Sequence, residues 1–465
     1  MSSRHYRKAA AVALVAGLAL SVAACSSSKK TDSSSSEPGK VTITVDCMPV
    51  DAQATLKKDW NDDVAAFEKL HPNITIESKS VGSQCDNPPD FTARLRGGTM
   101  TDVFYAYMTD KDQVLDSGQV MDITKFINDK TVPTWASIDP SAKAPFQDGG
   151  KTYGIPTKNY NMGLVVNKNL FKAAGLDPAN PPTTWQDVAK DAKLIADKAG
   201  AGTYGFADYS AGNTGGWHFT AELYSRGGSM VSDDGKTAAF NNAQGAAVLQ
   251  QLKDMRWTDN SAGQKQLLQW PDLLTQAASG KVGMFIGAPD AVTAVVTNFK
   301  GKYDDWAMGP MPGDNGPATA TLGGGEGYFF KKGLSDDQVK AGLMWLSYEK
   351  LTPGKGQFDY ARSKAENDPA AAPVGLPEPK LFVAGSAAAS QDDQLKAANA
   401  TISLDDYKPF VAATTPIKVE PPQAQAIYAV LDAAMSAVLT DKNADPAALL
   451  ATAEKKVNTI LSTQQ

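Results

Sequence analysis

Histidine and cysteine are nearly absent from this chain, with three of each in 465 residues. His5 lies in the first 24 residues, which leaves His71 and His218 and excludes a His-rich metal site. There is no His-Glu-x-x-His, no Cys-x-x-Cys and no Gly-x-Ser-x-Gly nucleophile elbow. Gly150-Lys151-Thr152 and Gly235-Lys236-Thr237 lack the earlier glycine of a phosphate loop, where Pro145 and Met230 stand instead. The run Gly323-Gly324-Gly325-Glu326-Gly327 lacks the dinucleotide-binding spacing. No cofactor and no metal are therefore expected. Basic residues are also in short supply, 45 Lys and Arg against 51 Asp and Glu. Three of the basic residues (Arg4, Arg7, Lys8) fall in residues 1–24, which hold no acid, so the remainder carries 42 against 51. A nucleic-acid binder needs a basic face, and this balance argues against one. Carboxylates are plentiful, so a glycosidase-type pair stays open as the minor, catalytic reading.

Long apolar runs are missing too. Ala9–Leu20, about twelve residues, is too short to span a bilayer. It follows the basic Arg4–Lys8 and precedes Val22-Ala23-Ala24-Cys25, the arrangement of a secretory leader, here residues 1–24. The small residues before Cys25 resemble a bacterial lipobox, in which the cysteine is lipidated and becomes the first residue. A plain leader with an incidental cysteine is the alternative. Ser26–Gly39 is rich in serine, cannot bury apolar surface, and reads as a tether over residues 25–40 with a reach of roughly 20 Å. A lipid-anchored body on the extracytoplasmic face of the membrane is expected. Stable anchoring takes two acyl chains, each buried CH₂ contributing about 0.8 kcal/mol. Cys47 and Cys85 are the remaining cysteines, and in an oxidising compartment a disulfide is the simplest reading, two free thiols the other. Each follows an apolar strand, Val41–Val45 and Ile74–Ile76, so parallel neighbours would place both at one sheet edge.

With 42% hydrophobic and 21% charged residues the composition is that of a globular chain long enough for two or three domains. Beyond residue 40 strands and helices alternate. Leu56, Trp60, Val64, Phe67 and Leu70 share one helical face before Pro72. Asp102–Tyr107 reads as a strand, and a short helix should end at Gly118. Thr184-Trp185-Gln186-Asp187 and Ser335-Asp336-Asp337-Gln338 are helix starts of the capping-box kind. Tyr204–Phe206 and Val282–Ile286 read as strands; Ala243–Arg256, Gln423–Leu439 and Pro446–Leu461 read as helices. The alternation implies βαβ units and mostly parallel sheets.

An ordered series of stretches resembles the solute-binding proteins of bacterial ATP-driven (ABC) importers, in the carbohydrate-binding, maltose-binding-protein-like branch. It runs Phe67-Glu68-Lys69-Leu70-His71-Pro72-Asn73-Ile74, then Arg96–Val103 with Thr101 where the family has proline, then Leu115–Ile123. Gly149-Gly150-Lys151-Thr152-Tyr153-Gly154-Ile155-Pro156 follows, with Leu164–Leu176, Pro182-Thr183-Thr184-Trp185, Gly280–Met284 and Gly323-Gly324-Gly325. The resemblance covers about residues 41–350; the last hundred match only in being helical. It implies a two-lobe α/β fold, each lobe a mostly parallel sheet flanked by helices, joined by a multi-crossing hinge. The N-lobe would hold 41–158 and 318–365, the C-lobe 159–317 and 366–465.

By the same resemblance a carbohydrate lies in the interlobe cleft, closure buries it, and the permease subunits of the importer accept the closed form of a monomer. Sugars offer apolar C–H faces and rims of hydroxyls, so aromatic plates and fixed carboxylates or amides are the side chains to look for. Tyr107 and Asp110 follow the strand ending at Tyr107; the alternatives are a core tyrosine and a helix cap. Asn159 and Tyr160 lie on the first crossing, where maltose-binding protein has a glutamate at the Tyr160 position. Trp217 is the leading stacking plate, with His218 beside it. Asp290 follows Val282–Ile286 and either accepts hydroxyls or caps the next helix. Gly324 and Glu326 return the chain through the cleft. A polyamine or a sugar or polyol phosphate is the rival solute. A phosphate would want cations, and only Lys158 stands in these loops.

Overall fold

The structure is a computed structural model that describes residues 38–80 and 88–462. The leader, Cys25, most of the tether and Cys85 lie outside the described residues. Cys47 is disulfide-bonded, with its partner also outside them. Among the described residues no helix is long and apolar enough to cross a membrane.

Two sheets organise the chain. In the first, strands Val41–Val45, Ile74–Ser78 and Val103–Tyr107 pair in parallel, with Val41–Val45 in the middle. The helix Ala54–Leu70 connects the first two and buries Trp60 and Phe67 against them. The long strand Thr321–Phe330 then adds antiparallel to Val103–Tyr107 and is flanked by Gly154–Asn161, also antiparallel, and by Ile417–Val419. In the second sheet Gly163–Asn167 lies antiparallel between Trp306–Gly309 and Val282–Gly287, and Tyr204–Phe206 runs parallel to Val282–Gly287. The sheets are thus mixed rather than mostly parallel. The pairs among Val41–Val45, Ile74–Ser78 and Val103–Tyr107 are parallel, whereas Thr321–Phe330 joins Val103–Tyr107 and Gly154–Asn161 antiparallel.

Helix boundaries follow local chemistry. Thr184 accepts the Asp187 N–H at the start of Trp185–Ala199, and Gly200 ends it at φ 81°. Ser335 and Gln338 form a reciprocal cap on Asp336–Leu346. Trp185, Val188, Ala192 and Ile195 bury one face of the first of these helices in the second lobe's core.

The core of the first lobe also takes in Phe358, Tyr360, Val374, Leu381, Phe382, Ala388 and Ala389. The C-lobe therefore does not begin at residue 366. The helix Ala387–Asn399 still packs on the first lobe, near Trp135–Ser137, and the chain joins the second lobe's core with Tyr407 and Phe410. The C-terminal helices Ala424–Thr440 and Pro446–Ser462 pack in that second core.

Candidate functional site

The two lobes are joined by Gly154–Asn161 and Thr321–Phe330, paired antiparallel along nearly their whole length. Pro156 is compatible with a strand here because Gly154–Asn161 pairs on one side only, with Thr321–Phe330. Directly paired residues share a sheet face. The register sets Glu326 between Lys158 on one side and Tyr107 on the other, and Gly324 beside Tyr160. A row of Tyr107, Glu326, Lys158 and Tyr160 results, with Tyr105 two residues along from Tyr107 donating its hydroxyl hydrogen to Glu326. Gly324 is a packing requirement: a Cβ there would lie 2.5 Å from Glu420 Oε2 and 2.9 Å from the Tyr160 ring.

Charge concentrates on this row. Lys158 Nζ lies 2.9 Å from Glu378 Oε1 and 3.4 Å from Asp290 Oδ2. Burial opposes its charge, but Glu378, Asp290 and Glu326 outweigh it and hold the ammonium above its ordinary range. Burial raises Glu326, only partly offset by Lys158 and Tyr105. Burial and the carboxylates of Glu326, Asp110, Glu420 and Asp290 all push Tyr107 up. Asp290 opens the helix Asp290–Phe299 without capping it, which leaves its carboxylate for Lys158.

The opposite wall is aromatic. The helix Thr214–Ser225 begins where Asp432 accepts the Asn213 and Gly216 N–H groups at 2.6 and 2.9 Å. Gly216 lets it approach Ala424–Thr440 closely, since a Cβ would sit 2.3 Å from Tyr428 Cα. Trp217, at the start of this helix, donates its indole N–H to the Tyr160 hydroxyl at 2.9 Å, with ring centroids 5.8 Å apart. Tyr209 follows at 6.3 Å and Trp270 at 5.2 Å from Tyr209. Glu420 closes the corner, accepting from Tyr428 at 3.1 Å and facing the Tyr160 hydroxyl; burial lifts its carboxyl to about 8.

Tyr107, Tyr160, Trp217, Asp290, Gly324 and Glu326 are therefore brought together. Asp110 and His218 are not in contact range of a cleft ligand. Asp110 is fully buried and spends both oxygens on the Tyr107 N–H and Gln113, so it caps its own turn. His218 is 2% exposed, with Nδ1 2.9 Å from Asp208 and its ring packed behind Trp217 and Tyr209. Asn159 alternates to the other face of its strand and donates to the Lys380 carbonyl at 3.4 Å. Sequence reasoning missed Tyr105, Glu378, Glu420 and Trp270, and also Tyr209, which is 1% exposed, bonds the Ile286 carbonyl and backs the plate. Tyr209 stands just after the strand Tyr204–Phe206, a placement that could have flagged it.

Around the rim the lobes touch. Gln53 Nε2 donates to Asn298 Oδ1 at 3.1 Å, Gln425 Nε2 to Thr109 Oγ1 at 3.3 Å, and the Gln423 N–H to Asp112 at 3.4 Å. No group of His, Cys, Asp or Glu among the described residues could hold a metal ion.

The model of the family described as bacterial extracellular solute-binding protein matches residues 51–347. A putative binding protein of Brucella abortus (strain 2308) is 25% identical over 265 residues, 55% of this chain and 59% of the relative. An sn-glycerol-3-phosphate-binding periplasmic protein of Yersinia pestis is 24% identical over 211 residues, 44% of this chain and 47% of the relative. The chain thus spans less than two thirds of the length of the curated relatives it matches first. Among solved structures, the GacH receptor of Streptomyces glaucescens, described unliganded and with acarbose, superposes with a TM-score of 0.68 at 20% identity, covering 90% of this chain and 98% of that one. That likeness establishes the two-lobe fold, and the family match over more than half of the sequence settles membership: the chain belongs to the bacterial extracellular solute-binding proteins.

Proposed function

We propose that this protein is the solute-binding component of an ABC importer, that it captures a sugar or oligosaccharide between its lobes, and that it hands the solute to the membrane permease while held by a lipid on Cys25. The observation that carries the reading is the corner formed by Trp217 and Tyr160, faced by the polar row of Glu326, Lys158 and Asp290. Flat apolar rings suit the C–H faces of a pyranose, and fixed carboxylates accept its hydroxyls through charge-assisted hydrogen bonds. Nothing in this arrangement resembles an activated nucleophile, and the function is binding and release rather than turnover.

Relatives named for glycerol 3-phosphate raise a second reading, an organic phosphate. It is disfavoured because Lys158, the cation of the row, is already held by Glu378 and Asp290. The test is a thermal-shift screen of the full chain in detergent against mono-, di- and oligosaccharides, with glycerol 3-phosphate and a polyamine alongside. A ligand at a hundredfold its dissociation constant adds about 2.7 kcal/mol. Shifts confined to saccharides support the proposal; a shift from glycerol 3-phosphate alone replaces it with the second reading.

A further inference from the structure

The charge balance inside the cleft is lopsided. Glu326 and Tyr107 sit side by side on adjacent strands, and Glu420, Asp290 and Asp110 all lie near enough to Tyr107 to act on its hydroxyl. Lys158 is the cation among them, and it is spent on Glu378 and Asp290. Asp110 is likewise spent on its own turn. What remains for a ligand is Glu326, whose carboxylate among the described residues is bonded by Tyr105 and lies within the influence of Lys158, and Glu420, bonded there by tyrosine hydroxyls. Both stand next to aromatic rings: Glu326 beside Tyr105 and Tyr107, Glu420 beside Tyr160 and Tyr428. A neutral sugar needs hydrogen-bond acceptors, but it does not need two partly buried carboxylates with no ion pair of their own, which are costly to desolvate. Carboxylates set among electron-rich aromatic faces are the surroundings that an ammonium group prefers, through charge-assisted hydrogen bonds and cation–π attraction together.

We propose that the cleft selects an amine-bearing saccharide, with Glu326 and Glu420 as the residues that recognise its ammonium group. This rests on the carbohydrate-binding reading above and narrows it. The ring faces of such a ligand still lie against Trp217 and Tyr160. The ammonium supplies the positive charge that the cleft lacks. Burial favours the protonated form of both carboxyls when no cation is present. An ammonium ligand therefore expels protons as it binds, and its affinity rises with pH until its own amine begins to lose its proton. The groups facing Glu420 are Tyr160, Tyr428 and Asp110; those facing Glu326 are Tyr105, Lys158, Asp290 and Lys350.

The experiment is calorimetric titration of the full chain in detergent, at pH 7, where sugar amines are mostly protonated, with matched pairs that differ only in amine against hydroxyl: glucosamine and glucose, galactosamine and galactose, deacetylated chitotriose and cellotriose. The expected result is that within at least one pair the amine binds about tenfold to a hundredfold more tightly. Glu326→Gln and Glu420→Gln should each shrink that ratio towards one, weakening the amine member more than the neutral one. If saccharides bind but no amine is preferred in any pair, the amine inference is overturned and the carbohydrate reading stands. If spermidine binds and no saccharide does, both are overturned. If the preference survives in both glutamine variants, the ammonium is recognised elsewhere and the assignment of these two residues is wrong.

Discussion

The two sides of the cleft are built on different principles. The wall from the second lobe is aromatic and stands on a packed, buried foundation. Trp217 and Tyr209 lean on the ring of His218, which is tied to Asp208; Glu222 one turn further along the same helix and Arg226 just past its end have buried side chains as well. The side formed by the crossing strands is a row of ionisable groups whose charges are set by one another. An aromatic plate keeps its shape and chemistry at any pH, so that wall is ready before a solute arrives. The ionisable row depends on which protons are bound and on how near Asp290 of the second lobe comes to Lys158. One side supplies surface, the other discrimination.

The comparison breaks most severely if the foundation is removed. Arg226 has a side chain only 4% exposed, donates to Gln251 at 2.6 Å, pairs with Asp314 and lies over the Trp185 ring. Arg226→Ala should cost about 3 kcal/mol of folding stability, since it strands buried partners and leaves a cavity. Chemical denaturation measures it, and a loss below about 1 kcal/mol would mean that the buried network is not a foundation. Next is the wall itself. Trp217→Ala should weaken saccharide binding by about 2 kcal/mol, roughly thirtyfold, with a smaller loss of folding stability because the indole is only partly buried at the edge of the core. A fall in stability as large as the fall in affinity would make Trp217 a core residue and not a plate.

Glu222 sharpens the contrast from a third direction. Burial lifts its carboxyl to about 8, with Arg226 opposing and Asp208 adding to the rise. A carboxyl raised on folding stabilises the folded state fully below its unfolded value of about 4.5, and that contribution is lost as pH climbs through about 8. Glu222→Gln removes the loss. The variant should gain on the wild type across that window and be more stable by about 1–2 kcal/mol at pH 8. Equal pH profiles for the two proteins would show that Glu222 does not titrate there.

How much of this was legible in the sequence follows the same division. Tyr160 and Asp290 were singled out because each stands just after a motif or strand that reads clearly, and Trp217 by its residue type; the structure places the three at one corner. The helix starts at Thr184 and Ser335 were legible from capping chemistry alone. The strand Thr321–Phe330 was not, because its glycines and Glu326 read as a loop; the tight fit of Gly324 against Glu420 and Tyr160 is visible only in three dimensions. Asp110 and His218 have the residue types of ligand contacts, yet tertiary packing closed one into a cap and the other behind the plates. Glu378 and Glu420 lie in irregular segments, before the helix Ala387–Asn399 and just after the short strand Ile417–Val419, where no periodicity marks which side chain turns inward.

The smallest effect tests whether the two sides act together. Gln53, just before the helix Ala54–Leu70 in the first lobe, donates to Asn298 near the end of Asp290–Phe299 in the second, at 3.1 Å on the exposed rim. An exposed neutral hydrogen bond contributes about 0.5 kcal/mol net, because water replaces it when broken. This bond exists only when the lobes are close, so its loss falls on the closed state and leaves the fold of each lobe alone. Gln53→Ala should therefore weaken saccharide binding about twofold and leave thermal stability without ligand unchanged. Asn298→Ala should do the same. The double variant should be no worse than either single one, since both remove one bond. Additive losses would mean that each residue acts separately within its own lobe. Non-additive losses would tie the rim contact to closure, the step in which the aromatic wall and the charged row come to bear on the same solute.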